Sequence, residues 1–78
     1  MTVEEIMQYR RANPFRPFVL ILKDGRRFSV FQPEQIGRDE ALTEITVAAD
    51  EDSVETFKVE RASRIELLSV VPEYRGGA

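Results

Sequence analysis

The chain has 78 residues, 14 acidic and 11 basic, with a net charge of -3 and neither cysteine nor histidine. A chain this short builds one hydrophobic core with a narrow margin of stability. The missing residue types exclude disulfide bracing, thiolate nucleophiles, imidazole bases and nearly every common zinc or copper site. The acidic balance argues against a protein whose main task is coating nucleic acid.

No apolar run approaches the roughly 20 residues of a membrane-spanning helix. Glu4 and Glu5 stand where a secretory signal would carry basic residues, so the cytoplasm is the expected compartment. Thr2 and Glu5 have the spacing of a capping box, which starts a helix at about Val3. Acidic Glu4 and Glu5 in its first turn and basic Arg10 and Arg11 in its last complement the helix dipole. Val3, Ile6 and Met7 form an apolar stripe that needs a surface to lie on. Pro14 ends the helix, because a residue before proline is pushed out of the helical region. Pro14-Phe15-Arg16-Pro17-Phe18 reads as a rigid connector that lowers two rings onto a sheet, in preference to a proline-rich ligand for an aromatic groove.

Two β-branched and aromatic runs, Phe18 to Lys23 and Arg26 to Phe31, flank Asp24-Gly25, a strong hairpin signal. A two-residue type I′ turn there sets Ile21 opposite Phe28 and Val19 opposite Val30. Phe18, Leu20 and Leu22 then occupy the other face, so the first strand is apolar on both sides and the helix is expected to supply the second cover. Gln32 to Ala41, with Pro33 and Gly37, reads as an irregular connection anchored by Ile36. Alternation resumes at Ile45, Val47 and Ala49, and Asp50-Glu51-Asp52-Ser53 makes a turn. Phe57 and Val59 mark a further strand, and a corner at Arg61-Ala62-Ser63 leads into a last one, Arg64 to Val71, stopped by Pro72. The expected fold is mainly β: an N-terminal helix and a five-stranded, strongly bent antiparallel sheet, a partly open SH3-like barrel over residues 1–72 with a disordered tail at 73–78.

Ile21-Leu22-Lys23-Asp24-Gly25-Arg26 is similar to the first signature of the Sm-like family, a strand and tight glycine turn that follow a short helix. Val59-Glu60-Arg61-Ala62-Ser63-Arg64-Ile65 resembles the second signature, a strand that ends in a basic residue, turns a sharp corner and resumes at an apolar one. The closing Val70-Val71-Pro72 is similar to the end of the bacterial RNA-chaperone branch of that family. The resemblance implies an Sm-like fold, assembly into a homo-oligomer and RNA contact, with Arg61 at the position of an RNA-contacting residue. The family's glycine in the middle of its second strand is here Ser29 or Val30, and its usual glycine after the basic residue of the second signature is Ala62. The Pro-Phe-Arg-Pro-Phe element after a Thr-x-x-Glu helix also resembles a set of small bacterial proteins without an assigned activity.

Arg10, Arg11, Arg16, Arg26 and Arg27 are candidates for a basic rim that takes phosphates or an acidic partner, with ion pairs to Glu4, Glu5 and Asp24 as the alternative. Arg61 and Arg64 are candidates for a pore or base pocket, with pairing to Glu60 and Glu66 as the alternative. Asp50, Glu51 and Asp52 lack the glycine and distal glutamate of a calcium loop and read as a solvated turn, so no metal or cofactor is expected. The leading expectation is a non-enzymatic interaction module that binds a protein partner or a second copy of itself. The alternatives are a nucleic-acid-binding module using Arg61, Arg64, Arg26, Arg27 and Arg16, and, more distantly, a small hydrolase acting through the loop acids.

Overall fold

The computed structural model describes residues 1–49 and 52–68. Asp50, Glu51, the end of the last expected strand at Val70 and Val71, the stop at Pro72 and the 73–78 tail lie outside the described residues. Helix α1 (Val3–Arg11) is followed by β1 (Phe18–Leu22), β2 (Arg27–Val30) and a 3-10 turn at Pro33–Gln35. Then come β3 (Ile36–Arg38), β4 (Glu44–Ala48), β5 (Val54–Lys58), a second 3-10 turn at Val59–Arg61 and β6 (Ala62–Leu67). The fold is mainly β with one N-terminal helix, and no described helix is long and apolar enough to cross a membrane.

Among the described residues the strands form two three-stranded antiparallel sheets, β2-β1-β6 and β3-β4-β5, and no closed barrel, in place of the expected five-stranded bent sheet. The difference arises in the segment read as an irregular connection. Pro33 opens a 3-10 turn, and Ile36, Gly37 and Arg38 then pair with Val47, Thr46 and Ile45. The chain therefore changes sheets by a break between β2 and β3. No glycine bends a continuous strand.

The capping box forms as expected: Thr2 Oγ1 accepts from the Glu5 N–H at 3.1 Å, and Glu5 Oε1 accepts from the Thr2 N–H at 2.8 Å. The hairpin differs. Gly25, at φ 94°, is the one residue of its turn with positive φ, whereas a type I′ turn requires two. Gly25 N–H donates to Leu22 O, and Leu22 N–H donates to Arg26 O, both at 2.9 Å, so the loop is Lys23-Asp24-Gly25, a three-residue loop with its glycine in the left-handed region. The extra residue shifts the register by one: Leu20 faces Phe28, Phe18 faces Val30 and Ile21 faces Arg27. Phe18, Leu20, Leu22 and Val30 consequently share one face with Val3, Ile6 and Met7 of α1 and with Ile36, Ile45, Val47 and Phe57 of the second sheet. The helix covers this single core and gives β1 no second cover.

The other face of β1 carries Val19 and Ile21, buried nonetheless. Val19 lies between Ser29 and Glu66, and Ile21 between Arg27 and Arg64, on the two flanking strands. Opposite the C-terminal end of β1, β6 omits Ser63 from the ladder, so that Arg64 pairs with Ile21 and Ala62 with Leu22. This bulge turns Ala62 into the core, and the expected corner at Arg61-Ala62-Ser63 is the 3-10 turn followed by the first strand residues. Likewise Val59 opens that turn and does not extend β5.

Two side chains join the parts. The Gln35 carboxamide accepts from Phe31 N–H at 2.6 Å and Gln32 N–H at 3.0 Å, and donates to Ala48 O at 3.1 Å and Ser29 O at 3.4 Å. Arg10 Nε donates to Pro33 O and Ile36 O, each at 2.9 Å, fixing α1 to the same break. In the β3–β4 turn, Asp39 accepts from Thr43 N–H and Oγ1, both at 2.8 Å, and from Glu44 N–H at 2.9 Å. Leu42 takes positive φ there.

Gln35→Ala removes all four of these bonds, and urea unfolding should show a loss of about 1–3 kcal/mol. Gln35→Glu, which keeps the acceptors but turns an oxygen on Ala48 O, should cost at least as much; an unchanged midpoint in both variants contradicts the role given to this side chain. The hydrogen bonds from Glu44 and Thr43 hold the Asp39 pKa at about 2, below its ordinary 3.8. Its contribution to stability is thus complete above about pH 4 and is lost as the pH falls toward 2. Asp39→Ala should lower the thermal midpoint at neutral pH and flatten the acid limb of the stability curve between those values.

Candidate interaction surfaces

The arginines singled out by the sequence separate into distinct places. Arg26 and Arg61 lie near the β1–β2 hairpin tip. Arg26 Nε contacts Asp24 Oδ2 at 3.1 Å, its N–H donates to Asp24 Oδ1 at 3.0 Å, and its guanidinium stands 5.9 Å from the centre of the Phe28 ring. The Asp24 pKa is lowered first by the Arg26 backbone hydrogen bond, with smaller help from the Arg26 and Arg61 charges. Arg61 is exposed, and its carbonyl accepts from Lys23 N–H at 2.8 Å, which ties the second 3-10 turn to the hairpin.

Arg27 and Arg64 meet on the outer face of the first sheet. Arg64 Nε is 3.0 Å from Glu66 Oε2, and Arg27 reaches across β1 to Glu66 Oε1 at 3.8 Å. One carboxylate therefore engages two guanidiniums over Val19 and Ile21. Arg16 stands apart, beside a shallow groove of about 290 Å³ that it lines with Gln8, Tyr9, Ala12 and Leu67. Arg11 pairs with Glu4 on the helix, and Arg10 is spent on the carbonyls of Pro33 and Ile36. The five rim arginines do not form one surface.

No polar or charged side chain is buried among the described residues, and no described group of three acidic residues is placed to hold a metal ion. The acidic run expected to form a turn falls partly on Asp50 and Glu51, outside the described residues. The resolved pKa displacements, at Asp24 and Asp39, are both downward and both arise from hydrogen bonds that shape turns.

The feature that the sequence reading passed over is the outer edge of β5. Val54, Glu55, Thr56 and Lys58 are exposed, Val54 at 65%, while Phe57 turns into the core and stacks on Phe28 with ring centres 5.6 Å apart. Ala49 N–H to Ser53 O and Val59 N–H to Thr43 O fix which residues of the β4–β5 ladder exchange hydrogen bonds. By alternation, Val54, Thr56 and Lys58 point their backbone N–H and C=O groups away from β4. A proline-free run, Val54-Glu55-Thr56-Phe57-Lys58, of which the first three residues are exposed in succession, was the available signal.

Glu66→Gln should release Arg27 and Arg64 at little cost, since exposed ion pairs contribute no more than about 1 kcal/mol each. The variant is expected to elute from a heparin column at higher salt than the wild type while keeping its unfolding midpoint. Identical elution would mean that the two guanidiniums are no less accessible when Glu66 is ionised.

No protein-family model, curated protein or solved structure matches the chain, which leaves the arrangement of its own side chains and strand edges as the guide to what it does.

Proposed function

We propose that the protein is a non-enzymatic interaction module of the cytoplasm that docks an extended strand of a protein partner, or of a second copy, on the open edge of β5. The single observation that carries this reading is a five-residue edge strand, paired to β4 in unbroken register, whose outward backbone groups meet no other described strand. An added strand satisfies such groups directly, and pockets for alternate side chains then set the preference. The absence of any buried acid or base among the described residues favours binding over catalysis, because acid–base chemistry at neutral pH relies on groups shifted by desolvation.

An Sm-like relationship belongs to the same proposal. It is supported by the order of elements: a glycine turn between β1 and β2, a 3-10 turn ending in Arg61, and β6 returning to pair with β1. Binding of RNA is the second reading. It would fall chiefly to Arg16 and Arg61, since Arg26, Arg27 and Arg64 already face Asp24 or Glu66.

The test is a selection from a displayed library of short random peptides, run in parallel with binding of a labelled pool of short RNA. Enrichment of peptides with alternating apolar residues, bound at least about tenfold less tightly by Thr56→Pro, is the expected result. Thr56 directs its N–H away from β4, so proline there removes an outward donor and spares the ladder. No enrichment, together with salt-sensitive RNA uptake that is lost in Arg61→Ala, would overturn the proposal in favour of the nucleic-acid reading.

A further inference from the structure

Two three-stranded sheets have four edges, and on two of them side chains of the fold already take outward backbone groups. On β2, Ser29 points its backbone outward, and its carbonyl receives the Gln35 amide, which also bonds Phe31 N–H just beyond the strand. On β3, Ile36 points outward, with its N–H donated to Pro33 O and its carbonyl taken by Arg10. On β6, the bulge at Ser63 breaks the register at the N-terminal end of the strand, and the chain beyond Leu68 lies outside the described residues. The β5 edge has five consecutive pairs with β4 and no bulge, and none of its outward backbone groups receives a described side chain.

The sequence of that edge is complementary to itself. Antiparallel pairing of β5 with β5 of a second copy joins outward residues to outward residues only when Val54, Thr56 and Lys58 face one another. In the full-length register, Thr56 faces Thr56 on a two-fold axis, Val54 faces Lys58 of the second copy and Glu55 faces Phe57. Each of the three outward pairs then exchanges both backbone hydrogen bonds, and no like charges stand opposite. Sliding by two residues in one direction loses one of these pairs and places Glu55 against Glu55, which is unfavourable. Sliding the other way also loses one. Thr–Thr is a favourable cross-strand pair, and because the axis is perpendicular to the sheet, both cores lie on the same side of the joined sheet.

Building on the strand-docking reading, we infer that the partner of the β5 edge is a second copy of this chain, bound antiparallel about Thr56 to form a six-stranded sheet across a two-fold axis.

The register makes opposite predictions for two substitutions at the exposed Val54. Val54→Glu sets a carboxylate against Lys58 of the second copy, twice by symmetry, and should tighten the dimer by about two- to tenfold. Val54→Lys sets lysine against lysine and should weaken it by a similar factor. Sedimentation equilibrium of the full chain, from micromolar to millimolar concentration at low salt, measures both against the wild type, and circular dichroism checks that each variant is folded. Wild-type dimerisation with the two variants moving in opposite directions supports the inference. A wild type that stays monomeric throughout overturns self-pairing and leaves the peptide-docking reading to stand or fall by its own selection. A dimer indifferent to the sign of the charge at position 54 overturns this pairing as well.

Discussion

The architecture depends on the carboxamide of Gln35. Where the chain leaves β2 and turns toward β3, backbone groups from two sheets approach one another without a ladder to pair them. One side chain with two acceptor lone pairs and two N–H donors meets Phe31 and Gln32 on one side and Ser29 and Ala48 on the other. Arg10 secures the adjoining carbonyls from the helix. The join between the sheets is therefore polar and directional, while the core beneath it is apolar and non-directional. Packing brings the sheets together, and the amide specifies how they meet.

A second constraint comes from β1, buried at every position although only one of its faces meets the core. Val19 and Ile21 sit on the other face, between Ser29 and Glu66 and between Arg27 and Arg64 of the flanking strands, and the two guanidiniums meet the Glu66 carboxylate there. Guanidiniums that looked available in the sequence are thereby engaged in ion pairs across the strand. The same economy applies to Arg10, a dipole partner and a candidate for the basic rim in the sequence, which donates to the carbonyls of Pro33 and Ile36.

Features set by neighbouring residues were legible in the sequence. The capping box at Thr2 and Glu5, the apolar stripe of α1 and the buried alternation of Ile45 and Val47 each follow from spacing within one element. The hairpin between β1 and β2 was legible as a hairpin, but its register was not. Asp24-Gly25 suits a two-residue loop, yet Asp24 keeps negative φ, Lys23 joins the loop, and one added residue reassigns every facing pair. Strand β3 was hidden because three residues around Gly37 have no period to detect and are strands only by virtue of β4. The division of the arginines between Asp24 and Glu66 depends on pairings across strands distant in sequence, which no local pattern encodes.

The occupation of two sheet edges by side chains has a consequence for how far assembly can proceed. A sheet that grows into a fibre needs two receptive edges on every subunit, one to accept and one to offer. Here the Gln35 amide occupies the Ser29 carbonyl on β2 and the Arg10 guanidinium the Ile36 carbonyl on β3, so growth through either edge must first displace a side chain that holds the fold together. The side chains that join the two sheets act at the same time as chain terminators at those two edges.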